Sequence, residues 1–195
     1  MLKKTARVPS DGRVITEKKR SPRALLTTTY WIVTLLLMVS TSAAADSMPV
    51  PMNLQVEIIK RMFGYDKALG NEANPLVFVV HQDEGAVKPE DFVKAFEVVG
   101  LVSVAVRLDA LPSQIRRPSA VYLLPGTESS SVSQYCTDNK VLSISGVPEL
   151  AESGSVAVAI GEANRRPQII VNKKRLHEEG HSFSAQLLQL AKIVQ

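Results

Sequence analysis

Six short runs of apolar, largely β-branched residues punctuate the chain, and the spacing between them decides what it can fold into. They cover residues 75–81, 101–108, 120–124, 141–145, 155–160 and 168–171, with Gly, Pro or Asn near their ends. Runs of this length and composition read as strands buried on both faces. Helical patterns stand between several of them. Lys88 opens one: Pro89 suits the first helical position, and Glu90 and Asp91 suit its positive end. Phe92, Phe96 and Val99 make its apolar face, and Gly100 ends it. A polar helix is predicted over 128–138 and a short one ending at Gly154. Only the six residues 161–166 and Pro167 separate the last two runs. That is too short for a parallel crossover, so this pair should be an antiparallel hairpin.

The flanks complete the pattern. Leu54, Ile58, Met62, Tyr65 and Leu69, with Ile59 and Phe63 beside them, predict a leading helix, with Asn53 as N-cap and Gly70-Asn71 as its stop. At the other end, two helices are expected over 173–179 and 184–194, the first capped by Asn172 and the two separated by Gly180. The expectation is a single α/β domain over residues 53–195. Its mostly parallel sheet is flanked by helices and carries a C-terminal antiparallel hairpin. Residues 46–52, with Pro49 and Pro51, read as a short linker.

The N-terminus reads as a leader. A basic stretch runs to Arg23, an apolar run follows over 24–39, and small residues close it at Ala43-Ala44-Ala45. This is the order of a secretory signal peptide, with cleavage expected between Ala45 and Asp46. The basic zone is long, and a start at Val14 would leave a leader of ordinary length. The sixteen-residue apolar run is short of the roughly 20 residues that span a bilayer. An uncleaved inner-membrane anchor is the alternative. The general secretory route is expected, since no twin arginine precedes the run, and a lipoprotein is not, since no cysteine lies near the cleavage site. The implied compartment is the periplasm.

Charge then removes one class of function. The whole chain is +4, but eight of its basic residues lie in the leader. Residues 46–195 carry 15 Lys and Arg against 17 Asp and Glu. A nucleic-acid surface needs clustered positive charge, so nucleic acid is not expected as a partner.

Catalytic motifs are scarce. His177-Glu178-Glu179-Gly180-His181 matches H-E-x-x-H, the metalloprotease zinc signature. Zinc needs both histidines on one helical face, a third ligand, and a glutamate beside the bound water. Gly180 breaks the helix inside the motif, and no His, Asp, Glu or Cys follows His181. The motif therefore reads as a helix C-terminus, and neither a metal nor another cofactor is expected. There is no G-x-S-x-G elbow, no phosphate loop and no dinucleotide fingerprint, and the chain is not expected to be an enzyme. The lone Cys136 reads as a buried, inert thiol. Arg116-Arg117 and Lys173-Lys174-Arg175 read as solvated surface. In a parallel sheet a small ligand would sit beyond the strands' carboxyl ends. The loops there hold His81, Gln82, Thr127, Ser145 and Gly146, the candidates for a ligand site.

The last third of the chain carries a resemblance. Residues 141–160 are followed by Pro167-Gln168-Ile169-Ile170-Val171-Asn172, then Leu176, Gly180, Phe183-Ser184, Leu187-Leu188 and Ala191. This pattern resembles the YfiR-like family of small exported bacterial proteins, most specifically over its final 55 residues. The resemblance implies a periplasmic regulatory protein without known catalysis. It implies as partner the periplasmic part of an inner-membrane signalling protein such as a diguanylate cyclase. An outer-membrane lipoprotein that releases the complex, and a homodimer, are implied as well. The family's redox control uses paired cysteines, which a chain with one cysteine cannot form. A periplasmic small-solute-binding module of related fold is the competing expectation.

Overall fold

Residues 48–82 and 87–195 are described by the structure, a computed structural model. In chain order they form α1 (Met52–Phe63), β1 (Leu76–His81), α2 (Pro89–Val98), β2 (Val102–Arg107) and a 3-10 helix (Leu108–Ser113). Then come β3 (Ala120–Leu123), α3 (Ser129–Asn139), β4 (Leu142–Ser145), α4 (Pro148–Glu152), β5 (Val158–Ala163) and β6 (Arg166–Asn172). The chain closes with α5 (Lys173–Glu178), α6 (Ala185–Leu190) and β7 (Lys192–Val194). The expected leader and its cleavage position, Ala45 and Asp46, lie outside the described residues.

The strands make one seven-stranded sheet in the order β2-β1-β3-β4-β5-β6-β7. All neighbours are parallel except β5 and β6. The fold is therefore α/β with a mostly parallel sheet and an antiparallel hairpin near its C-terminal end. Strands β3 and β4 are buried at every position, as strands covered on both faces must be. Alternate residues feed two cores. Val77, Val79, Ala120, Tyr122, Leu142 and Ile144 face α1, α2 and the C-terminal helices. Phe78, Val80, Val121 and Leu123 face Val132 and Cys136 of α3, Leu111 and Ala151.

The structure corrects several local expectations. The hairpin turn is tighter than six residues: β5 runs to Ala163, which pairs Arg166. Asn164 and Arg165 between them have φ of 52° and 59°. A two-residue turn with both residues left-handed matches the twist of the strands it joins.

Helix α1 starts one residue before Asn53, with Pro51 at the N-cap position, and stops at Phe63. Its buried face is Gln55, Val56, Ile59, Met62 and Phe63. Leu54 and Tyr65, expected on that face, are exposed. Gln55 takes the inward place because its amide is used there. Its Nε2 donates to the Val50 carbonyl (2.7 Å), and its Oε1 accepts from the Tyr122 hydroxyl (2.5 Å). Val50, within the stretch expected as a linker, is itself buried.

The terminal helix is also shorter than expected. It ends at Leu190, and Lys192, Ile193 and Val194 become β7, parallel to Ile170, Val171 and Asn172 of β6. An unpaired β6 edge would leave backbone donors and acceptors unmet, and two β-branched residues suit that edge better than a last helical turn.

Candidate functional site

The sheet order places a topological switch point between β1 and β3, because β2 lies to one side of β1 and β3 to the other. The carboxyl ends of those two strands are where this fold class takes small ligands. His81 ends β1 and is half-buried, and Gln82 follows it. They face Leu124, Pro125, Gly126 and Thr127 across a hollow of about 70 Å³. Gln82 Oε1 accepts from the backbone N–H of Glu128 (3.1 Å), which ties the two loops together.

The start of α3 points into this region, and a helix N-terminus attracts an anion. The chain supplies its own. The Glu128 carboxylate accepts from Ser130 N–H (2.6 Å) and Ser131 N–H (3.1 Å). These bonds hold its carboxyl down at about 2. A carboxylate or phosphate ligand would meet a position already taken.

Ser145 and Gly146, at the end of β4, do not join this hollow. The Ser145 hydroxyl is fully buried, donating to the Leu123 carbonyl (3.0 Å) and accepting from Val147 N–H (3.2 Å). Gly146 lies under the segment that leads into α1. A Cβ on it would stand 2.6 Å from Gln55 Oε1, 2.7 Å from the Tyr122 hydroxyl and 2.8 Å from the Met48 sulfur. Tyr122 is stacked on Phe92 at 4.6 Å, so it has no room to yield. Gly146→Ala should therefore destabilise by about 1–3 kcal/mol. Equal urea midpoints for variant and wild type would show that this segment is not seated on the strand ends. Sequence reasoning missed Gln55 and Tyr122, since a helical Gln and a strand Tyr give no local sign that they will meet.

The His-Glu-Glu-Gly-His segment ends a helix and turns inward. Helix α5 ends at Glu178, and Gly180 turns the chain with φ of 79°. His177 is exposed, whereas His181 is buried and its Nδ1 lies 2.8 Å from Asp66 Oδ2. The two histidines thus diverge. Among the described residues no group of three or more His, Cys, Asp or Glu could hold a metal ion. Glu179 is fully buried. Its Oε2 accepts from Ser143 N–H (2.8 Å) and its Oε1 from the Ser143 hydroxyl (2.6 Å). The Ser143 oxygen accepts in turn from Ala157 N–H (2.7 Å). Burial raises the Glu179 carboxyl to about 7 against these bonds and the nearby Arg175 charge. The motif drew attention to Glu179 and His181, but their partners lie far off in the chain.

Two other expectations resolve here. Cys136 is buried, with its thiol pushed well up by burial and by Glu179. Arg175 is not solvated surface. It donates from Nε to the Gly154 carbonyl and from a guanidinium nitrogen to Thr137 Oγ1, both at 2.9 Å. Asn172 caps α5 as expected, accepting from Arg175 N–H at 2.9 Å.

The roomier concavities are open surface. A groove of about 840 Å³ runs between the polar side of α3 and the end of the 3-10 helix at Pro112, with the loop that carries Ile115 and Arg117. Ile115 stands fully exposed beside it. No helix among the described residues is long and apolar enough to cross a membrane.

Comparison with solved structures supports the fold. An ABC domain from Streptococcus pneumonia, crystallised in complex with L-Trp, superposes with a TM-score of 0.52 at 14% identity. The match covers 74% of this chain and 62% of that one, so this chain spans less than two thirds of that structure. At such identity the likeness is one of architecture. The comparison with curated proteins gives no match. The family comparison does: the YfiR/HmsC-like model matches residues 69–192, from the turn after α1 to the first residue of β7. With that span, and with the strand, short helix, hairpin and terminal segment in their expected order, the chain belongs to the YfiR/HmsC-like family.

Proposed function

We propose that this protein is an exported regulatory binding protein that controls a membrane signalling protein, such as a diguanylate cyclase, through the latter's periplasmic part. The family match over residues 69–192 carries this reading. The leader's order of basic, apolar and small residues supports export to the periplasm. The geometry of the strand ends supports recognition by surface rather than by pocket. The switch-point hollow of about 70 Å³ is well under the roughly 300 Å³ at which small-molecule pockets begin. Its anion position is filled by Glu128, and the neighbouring loop by Gln55 and Met48. An outer-membrane lipoprotein as the releasing partner, and a homodimer, belong to the same proposal.

Deleting the gene should raise cellular cyclic di-GMP. Complementation should restore the level only with the form that carries the leader. Unchanged cyclic di-GMP, with no membrane protein recovered on cross-linking, would count against the regulatory role.

The second reading is a small-solute module. Its one support is the fold shared with a domain crystallised with L-Trp. Calorimetric titration with free amino acids separates the two readings: heat that saturates would favour the solute reading.

A further inference from the structure

The turn formed by Glu179, Gly180 and His181 fastens the C-terminal part of the chain at two separate places. Gly180 adopts φ of 79°, so the side chains on either side of it enter the interior in different directions. Glu179 reaches Ser143 on β4, and His181 reaches Asp66 in the turn after α1. Two backbone bonds extend the second attachment: Lys67 N–H to the Ser182 carbonyl (3.0 Å) and Ser184 N–H to the Tyr65 carbonyl (2.9 Å). Beyond this turn lie α6 and β7, which cover the edge of β6.

We propose that this turn is a pH-operated latch, in which a proton on Glu179 fastens residues 180–194 to the body of the domain and its loss loosens them.

The geometry makes Glu179 the controlling group. Its carboxyl is sealed from water, and its two hydrogen bonds both come from one residue. The groups around it are few. Arg175 on α5 and His181 on the same turn favour the carboxylate, Cys136 on α3 lies nearby with its thiol kept neutral by burial, and Asp66 sits behind His181. Lys140 packs on Gly180 but spends its ammonium on the Glu178 carbonyl (2.8 Å).

Burial outweighs the favourable charges, so in place the carboxyl titrates at about 7. When the segment lifts, Glu179 meets water and returns to its ordinary 4.5. Between these values the closed form holds a proton that the open form has lost. Raising the pH through this window therefore favours opening about tenfold per unit, up to about 300-fold in all, and no further above pH 7.

Hydrogen exchange read by mass spectrometry between pH 5 and pH 8, corrected for intrinsic rates, tests this on the intact protein. Protection of residues 181–194 should fall at least tenfold across that range in wild type. In Glu179→Gln it should stay flat, because the amide can replace the neutral acid and cannot ionise. His181→Asn should keep the dependence. A flat profile in wild type, or an equal slope in Glu179→Gln, overturns the latch. So does loss of the slope in His181→Asn, which would move control to the histidine. If Glu179→Gln does not fold, the infrared carbonyl band of 13C-glutamate-labelled wild type decides. A buried carboxylic acid that titrates near pH 7 supports the latch, and its absence overturns it.

Discussion

Asp66→Ala should cost about 1–3 kcal/mol of folding stability for each buried hydrogen-bond partner it strands, and it strands two. The Asp66 side chain is wholly inaccessible, and that of His181 nearly so. Asp66 does two jobs: Oδ1 accepts from Ala68 N–H (2.7 Å), and Oδ2 pairs with His181 Nδ1 (2.8 Å). His181 Nε2 has no hydrogen-bond partner, so losing Asp66 would strand both ring nitrogens in the interior. Asp66→Asn keeps an acceptor for Ala68 and offers an N–H to the imidazole, and it should recover most of the loss. Urea unfolding of both variants provides the measurement. A loss under about 1 kcal/mol for Asp66→Ala would show that the pair is not what fastens this turn.

The terminal segment gives the second large effect. Leu187 is 4% exposed and belongs to the core on the α1 and α2 side of the sheet, whereas Leu188 is half-buried and Leu190 is 78% exposed. Leu187→Ala should cost about 2–5 kcal/mol. Leu188→Ala should cost clearly less, and Leu190→Ala should fall within about 0.5 kcal/mol of wild type. The order of the three matters more than any one value. Equal costs at 187 and 188 would mean that α6 docks in a different rotation about its axis. These losses report folding, so a functional defect in Leu187→Ala would not locate a contact surface.

The sheet was legible because its signals are local. Phe92 and Phe96 repeat at helical spacing after a Pro-acid start, and both are fully buried. The short link between the last two long strands excluded a crossover whatever its exact turn. The same local reading failed for α1, where Leu54 fits an apolar stripe as well as Val56 does. Tertiary hydrogen bonding chose between the stripes, by giving Gln55 an inward position.

The candidate site was legible only in part. His81, Gln82 and Thr127 do meet at the switch point, as strand order requires. Ser145 and Gly146 end a neighbouring strand and look equivalent in sequence, yet Met48, Gln55 and Tyr122 crowd onto Gly146. The five residues from His177 to His181 showed a helix end, and Gly180 alone was enough to break a metal-binding helix. They could not show that Glu179 and His181 turn inward.

Taken by itself, the sequence determined the α/β class, the parallel strands, the C-terminal hairpin, the helix stops at Gly100 and Gly180, and the cap at Asn172. Each depends on residues a few positions apart, where periodicity, connection length and backbone freedom suffice. Only the tertiary structure decided the fate of Gln55, Glu179, His181 and residues 192–194. Their partners lie 67, 36 and 115 residues away for the three side chains, and for the last strand on the edge of β6. A buried polar group must find a partner wherever packing brings one, and no local pattern specifies which residue that will be.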